Sequence, residues 1–174
     1  MDSDEVEGSR IGQFQARRGV LMSREFREIG RISCKFGTMM FIETLICTEM
    51  IASGVSVEYG VAIRLSEFNR DLEVTSESAG YLDPDEVSEL IQAIECIQGV
   101  AQTIRDENRD YTEVSYRTRG TVRFGFYQRD NNQQVSLYVG GLPSFLLERQ
   151  EKLLSLHLQL AMKHLTDRGM PPYL

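Results

Sequence analysis

Five residues carry the side-chain chemistry that can be argued most directly from this sequence: Tyr111, Arg117, Arg123, Tyr127 and Tyr138. Tyrosine offers an apolar ring for stacking and a hydroxyl for hydrogen bonding. Arginine offers a planar, permanently charged fork that matches carboxylate or phosphate. Grouped on one surface, these types form a binding face for an anionic or planar ligand, and none of them needs a cofactor. Other reactive residues do not assemble into a centre. His157 and His164 are seven apart on a helical stretch, about 10.5 Å by helix rise, too far to share one metal on their own. Glu89 and Glu95 fall on the solvated side of a helix. Cys34, Cys47 and Cys96 have no histidine near them in sequence and read as small buried hydrophobes. The chain has no Walker loop, no G-x-S-x-G, no H-E-x-x-H and no C-x-x-C. No catalytic residue, metal ligand or cofactor is therefore expected, and an enzyme with a cleft between sheet and helices is kept only as an alternative.

A β-meander over Tyr111–Gly140 places the five residues. With a two-residue turn at Arg119-Gly120 neither face would be apolar. A three-residue loop, Thr118-Arg119-Gly120 with Gly120 left-handed, pairs Tyr116 with Val122, Val114 with Phe124 and Thr112 with Phe126. A four-residue loop, Arg129 to Asn132, then sets Val135, Leu137 and Val139 against Phe126, Phe124 and Val122. One side is Val/Phe/Leu. The other carries Tyr111 opposite Tyr127, Ser115 opposite Arg123, Arg123 opposite Tyr138, and a gap at Gly125 between Glu113 and Ser136.

The remaining elements cover the apolar side. Residues 10–30 read either as a strand with a connecting loop or as an irregular helix broken at Gly19. Their Arg17, Arg18, Arg24 and Arg27 suit either a basic arm or pairing with the chain's own acidic middle. Residues 31–35 turn β-like, Thr38–Thr48 and Val55–Leu65 form a long hairpin, Phe68–Glu77 reads as loop, and Ala79–Leu82 as a short strand. Asp83 as N-cap, Pro84 at N1 and Glu86 at capping-box spacing open a helix whose stripe runs Val87, Leu90, Ile91, Ile94, Ile97, Ala101, Ile104. A second helix is expected over Ser144–Thr166. Its apolar arc, Leu147, Leu154, Leu158, Ala161 and Leu165 widened by Leu146, Leu153 and Leu160, is broad enough for a homodimer contact through residues 144–166.

Composition bounds the function. The 174 residues suit one globular domain at 10–174 behind a disordered acidic tail at 1–9. There is no run of about 18 apolar residues and no secretory leader, so no membrane contact is expected. Three unclustered cysteines fit a reducing, cytoplasmic setting. The net charge of −7 disfavours a nucleic-acid partner, although it is uneven: residues 1–9 contribute −4, 10–35 contribute +5, 67–110 contribute −9 and 111–129 contribute +3. Sixteen of the nineteen cations are Arg.

The element order, about four strands, a helix, three strands and a helix, resembles the strands-then-helix plan of the Whirly and Pur-alpha group of single-stranded nucleic-acid-binding domains. The likeness spans residues 31–166 and is clearest over 111–166. It implies an α+β fold, antiparallel meanders with two long helices packed on one face, of order ββββα-βββα. It also implies single-stranded nucleic-acid binding as the alternative to a non-catalytic domain that binds a protein or anionic ligand on its Tyr/Arg face.

Overall fold

The computed structural model describes residues 8–51, 54–69 and 73–172. The fold is α+β, with two four-stranded antiparallel sheets in simple meander order and two long helices packed between their apolar faces. Sheet A comprises β1 (Leu21–Ser33), β2 (Thr38–Ile51), β3 (Gly54–Asn69) and β4 (Val74–Leu82). Sheet B comprises β5 (Arg109–Arg117), β6 (Val122–Asp130), β7 (Asn132–Val139) and β8 (Leu142–Phe145). A short helix α1 (Arg10–Gln15) precedes sheet A, α2 (Pro84–Thr103) follows it, and α3 (Gln150–Asp167) follows sheet B. The order is thus ββββα twice, behind α1.

Each long helix packs chiefly on the other half's sheet: α3 lies on β1, β2 and β3, while α2 lies on β5 and β6 as well as β3 and β4. One continuous core results, running from Met40, Ile42 and Ile63 of sheet A through Leu90, Ile94, Leu154 and Leu158 to Phe124, Phe126 and Leu137 of sheet B. The sheets abut where a Cβ on Gly80 would come within 2.6 Å of Val122, so only glycine fits there. A second, smaller cluster seats Ile11 and Phe14 of α1 on Leu45 and Cys47, the side of sheet A turned away from α3. Gly60 makes room for it, since a Cβ there would meet Ile11 at 2.8 Å.

Several expectations are corrected. Of the two readings of residues 10–30 the strand holds, as β1, although the helix α1 precedes it; Arg17 pairs with Glu49 at 2.6 Å and Arg24 donates to the Gln15 carbonyl. Strand pairing of Phe68 with Thr75 and Asn69 with Val74 replaces most of the loop expected over 68–77. Ser9 is buried and caps α1 by accepting the Gly12 N–H, so the ordered chain starts before residue 10, while residues 1–7 of the expected tail, and Ser53 of the hairpin turn, lie outside the described residues. The second helix starts at Gln150, because Leu142–Phe145 pair with β7 as an edge strand. Pro143 is tolerated there, where a missing N–H breaks no ladder. Leu147 consequently lies outside the helix and is exposed. Cys34 and Cys47 are buried, but Cys96 is exposed. Among the described residues no helix is long and apolar enough to cross a membrane.

Two polar devices hold the halves together. The first is at the start of α2. Asp83 and Glu86 are buried to within 1% of full burial. Glu86 accepts the Asp83 N–H at 2.9 Å, the return limb of a capping box, and accepts the Arg119 N–H at 2.6 Å with its other oxygen. Asp83 accepts the N–H groups of Arg10 and Ile11 at 2.8 and 2.9 Å and the Arg119 guanidinium at 3.2 Å. Arg119 also grips Asp85, and although burial opposes its ionisation, that carboxyl is held below its usual range by Arg119. The second device is on α3. Arg27 donates to His164 Nε2 at 3.3 Å, which leaves Nδ1–H to donate to Thr44 Oγ1 at 3.1 Å, and the hydroxyl in turn donates to the Arg27 carbonyl at 3.5 Å. One turn-pair earlier, the His157 ring presses on Gly30, where a Cβ would lie 2.5 Å away, with Nδ1 buried and unpartnered.

These devices give two predictions. Replacing Glu86 with Ala leaves a buried and a partly buried N–H group without their acceptor, removes an ion-paired carboxylate, and lowers stability by about 3–5 kcal/mol. Glu86→Gln retains one acceptor and loses about 1–3 kcal/mol; chemical-denaturation midpoints read both, and equal losses would show that charge and acceptor count are irrelevant here. Both histidines are pushed below their ordinary 6.5, His157 by burial, and His164 by burial first and then by Arg27 and Arg168, with Glu25 and Asp167 opposing. On acidification the unfolded chain therefore takes up protons first. Their stabilising effect is complete above about pH 6.5 and is lost as pH falls through the lowered folded values. The slope of the urea midpoint between pH 7 and 5 flattens in the double variant His157→Gln/His164→Gln.

Candidate functional site

Sheet B presents the Tyr/Arg face, and alternation along its strands decides what lies on it. Inward rows are Tyr116–Phe124–Leu137–Ser144 and Val114–Phe126–Val135. Outward rows are Glu113–Tyr127–Gln134, Ser115–Gly125–Ser136–Phe145 and Arg117–Arg123–Tyr138–Pro143. The β6–β7 pairing is as expected, with Val122, Phe124 and Phe126 facing Val139, Leu137 and Val135, although the ladder continues to Arg129–Asn132 and shortens the turn. The β5–β6 register is two residues further along than expected, with Val114 against Phe126 and Tyr116 against Phe124. A shift of two preserves which side every residue faces, so the face survives while its neighbours change. The longer loop exists because Arg119 is drawn into the Asp83–Glu86 pair. Gly120 is not left-handed; it is needed because a Cβ there would lie 2.8 Å from the Tyr81 carbonyl oxygen.

The five expected residues are gathered here. Tyr111 and Tyr127 stack with ring centroids 6.3 Å apart and planes 24° from parallel. They meet diagonally, because Glu113 and not Tyr111 stands opposite Tyr127. Arg123 lies over the Tyr138 ring at 4.3 Å and sits 3.6 Å from Glu113. The Tyr111 hydroxyl donates to Glu113 at 2.8 Å, and that bond raises the phenol's pKa above its ordinary value, with burial adding to it. Arg117 is exposed, stands beside Arg123 across the ladder, and has no ion pair among the described residues.

Between these walls runs a groove of about 730 Å³ whose floor is Gly125 and Ser136, both buried although they point outward. Glycine is required on that floor: a Cβ would approach the Val114 carbonyl oxygen at 2.5 Å. Beyond Arg123 and Tyr138 the groove continues into a second hollow of about 900 Å³, bounded by Arg117, Gly140, Gly141 and, from the other end of the chain, Gly8 and Gln13. Leaving aside Arg119, four cations (Lys35, Arg117, Arg123, Arg129) face two carboxylates (Glu113, Asp130), which makes this a locally positive strip on an acidic protein.

Sequence reading missed four contributors. Phe145 was assigned to a helix, yet the period-two pattern of Leu142, Ser144 and Leu146 against Pro143 and Phe145 marks a strand. Phe36 belongs to a tight turn in the left-handed region, φ 58°, is 77% exposed, and meets Phe145 edge-on at 5.8 Å. Lys35 reaches Gln134 at 2.7 Å, and Arg129 leans over Tyr111 at 5.9 Å. Nothing local in the sequence places Lys35 and Phe36 beside sheet B. Among the described residues no three His, Cys, Asp or Glu side chains gather as a metal site. Comparison with known proteins finds no matching family model, no matching curated protein and no matching solved structure.

Proposed function

We propose that this protein is a non-catalytic binding domain whose Tyr/Arg face on sheet B receives an extended anionic segment of a protein partner. The observation that carries this reading is the groove itself: a long, open channel with a glycine and serine floor, tyrosine walls, and cations exceeding carboxylates. An extended backbone fits along the strands, the buried small residues leave room for it, and Arg117, with no ion pair among the described residues, supplies charge at one end. The Tyr111 phenol on this face is pushed up, away from neutral pH, by its bond to Glu113. The unpaired cysteines support a cytoplasmic location.

A second reading is single-stranded nucleic-acid binding, with Tyr111, Tyr127 and Tyr138 stacking bases and Arg117 and Arg123 on phosphate. The aromatic surface extended by Phe145 and Phe36 favours it, and so does the twice-repeated four-strands-then-helix order of the Whirly and Pur-alpha group. The overall charge of −7 opposes both anionic ligands, and opposes a strand charged at every nucleotide more than a peptide charged at every second residue. A fluorescent peptide of alternating Glu and Gly should bind at low salt and weaken at least tenfold in Arg117→Ala/Arg123→Ala. A labelled oligo-dT should bind more weakly than the peptide; tighter, salt-sensitive oligo-dT binding lost in the same variant reverses the two readings.

We also propose that α3 mediates a homodimer. Leu153, Leu156 and Leu160 line its outward side at spacings of three and four and are 37–48% exposed, between Lys152 and Lys163. Two antiparallel copies would cover this stripe mutually. Light scattering should give about 40 kDa, twice the 19.9 kDa chain, and Leu156→Glu should return the mass to that of one chain; a wild-type monomer at tens of micromolar defeats the dimer.

A further inference from the structure

We propose that the free edge of β5 pairs antiparallel with β5 of a second copy of this chain, with Ser115 on the two-fold axis, and that Arg117 of the second copy thereby joins the wall of the first copy's groove. β5 is the outermost strand of sheet B and is paired with β6 alone. Thr118 donates its N–H to the Val122 carbonyl at 3.0 Å. Alternation in an antiparallel ladder then turns the backbone groups of Thr112, Val114 and Tyr116 toward β6, and those of Glu113, Ser115 and Arg117 toward the open edge. The Val114 carbonyl oxygen lying against Gly125 agrees with that phase. All three edge-directed residues are exposed. The other edge of the sheet is blunted: β8 is four residues long and carries Pro143, which has no N–H to offer. β5 has neither proline nor bulge between Thr112 and Arg117, so a further strand can be added there.

Charge selects the occupant and the register. In a two-fold pair the same strand meets itself, so residues equally far from the axis stand opposite each other. With Glu113 or Arg117 on the axis, like charges face each other, which is unfavourable. With Val114 or Tyr116 there, Glu113 and Arg117 do not meet. With Ser115 there, Glu113 faces Arg117 of the second copy at both ends, and the edge-directed groups form about six backbone hydrogen bonds. On the inward side Val114 then faces Tyr116 of the second copy. These two are half-buried, whereas Phe126 and Phe124 opposite them on β6 are fully buried, so pairing covers apolar surface that the open edge leaves bare. Arg117, without an ion pair among the described residues, gains one. Glu113 lines the groove and holds Arg123 only at 3.6 Å, so the incoming Arg117 arrives at that wall, beside the Tyr111 hydroxyl that Glu113 also accepts. The two Tyr/Arg faces become one surface of an eight-stranded sheet. The pairing is independent of what the groove binds.

Three edge residues from each strand make a contact well below the roughly 1,000 Å² of a stable interface, so half-association is expected on the order of 0.5 mM. That is weaker than the α3 contact, and the two are separated by working with the full chain carrying Leu156→Glu. Sedimentation equilibrium of that chain over about 0.05–1 mM, a range that brackets the expected constant, should show the mass rising from one chain toward two. Glu113→Arg and Arg117→Glu, each added to Leu156→Glu, should stay at the mass of one chain. An equimolar mixture of these two variants should associate, because arginines at both positions then face glutamates at both. A Leu156→Glu chain that keeps the mass of one chain at the top of the range defeats the pair. Self-association of either charge variant, or a mixture that does not associate, defeats the register. Backbone amide exchange locates the contact: in the Leu156→Glu chain Glu113, Ser115 and Arg117 should exchange more slowly at the top of the range than at the bottom. Slowing elsewhere, with these three unchanged, would overturn β5 as the surface.

Discussion

Two carboxylates, Asp83 and Glu86, are the constraint on which the rest depends. They accept backbone N–H groups from three separate segments: Arg10 and Ile11 at the start of α1, Asp83 at the start of α2, and Arg119 in the β5–β6 loop. Buried charge is tolerable only when its oxygens are saturated with donors and balanced by cations. Here Arg10 and Arg119 supply the balance from the solvent side. The node therefore fixes where the first half of the chain ends, where the second half turns, and where the short N-terminal helix lies. Arg119 in particular ties the groove to the core: burial works against its charge, but Asp85, Glu86 and Asp83 together raise its pKa above the ordinary arginine value. The loop that it anchors sets the β5–β6 register two residues on, which brings Arg117 beside Arg123.

The exchange of helices between sheets explains why such a node is needed. Because α3 packs on sheet A, and α2 on sheet B as well as on β3 and β4, neither half of the chain alone buries all of its apolar surface. Hydrophobic burial stabilises the pair strongly but does not fix the angle or register between them. Directional bonds do that at both ends, the carboxylate node at one and the Arg27–His164–Thr44 ring at the other. Gln128 and Gln133 do the same beside the C-terminal end of α2, taking up the Glu107 and Ala101 carbonyls at 2.6 and 2.7 Å. Tyr116, on the inward side of β5, bonds Glu89 of α2 at 2.7 Å; burial and that bond push its phenol up to about 12, so it remains a donor at any working pH.

Much of this was legible in the sequence, and the limits are instructive. The start of α2 could be read because capping is local: Asp83, Pro84 and Glu86 sit within four residues of each other. The two faces of β5–β7 could be read because period two is also local. The β5–β6 register could not, because it depends on Arg119 reaching carboxylates more than thirty positions earlier. Strand β1 was obscured by its composition: Ser23 to Glu28 is mostly charged and exposed, with only Phe26 apolar, on an edge strand paired along one side alone. Strand β8 was hidden by the leucine-rich run after it, which made residues 144–149 look like helix. The five site residues were recognisable by type and parity, whereas Lys35 reaches the groove, and Phe36 the Phe145 ring, only through tertiary folding.

The groove's internal bonds indicate how it would discriminate among ligands. Glu113 holds both the Tyr111 hydroxyl and, more loosely, Arg123, so an incoming anion competes with a carboxylate already in place. The excess of two cations is small, and at physiological ionic strength charges more than about 8 Å apart are largely screened from one another. Electrostatics alone therefore gives weak, salt-sensitive attraction, and any strong binding has to come from groups that fill the floor between Tyr127 and Tyr138. That floor, Gly125 and Ser136, accepts a backbone or a thin side chain and offers the Ser136 hydroxyl as its polar group. Under the proposed function, a ligand that is merely acidic would be held at the Arg117 end and released by salt. One that also laid a planar or narrow apolar group on Gly125, against Tyr127 or Tyr138, would gain contacts that screening does not remove. Affinity at low salt would thus measure the arginines, and what persisted at high salt the tyrosines.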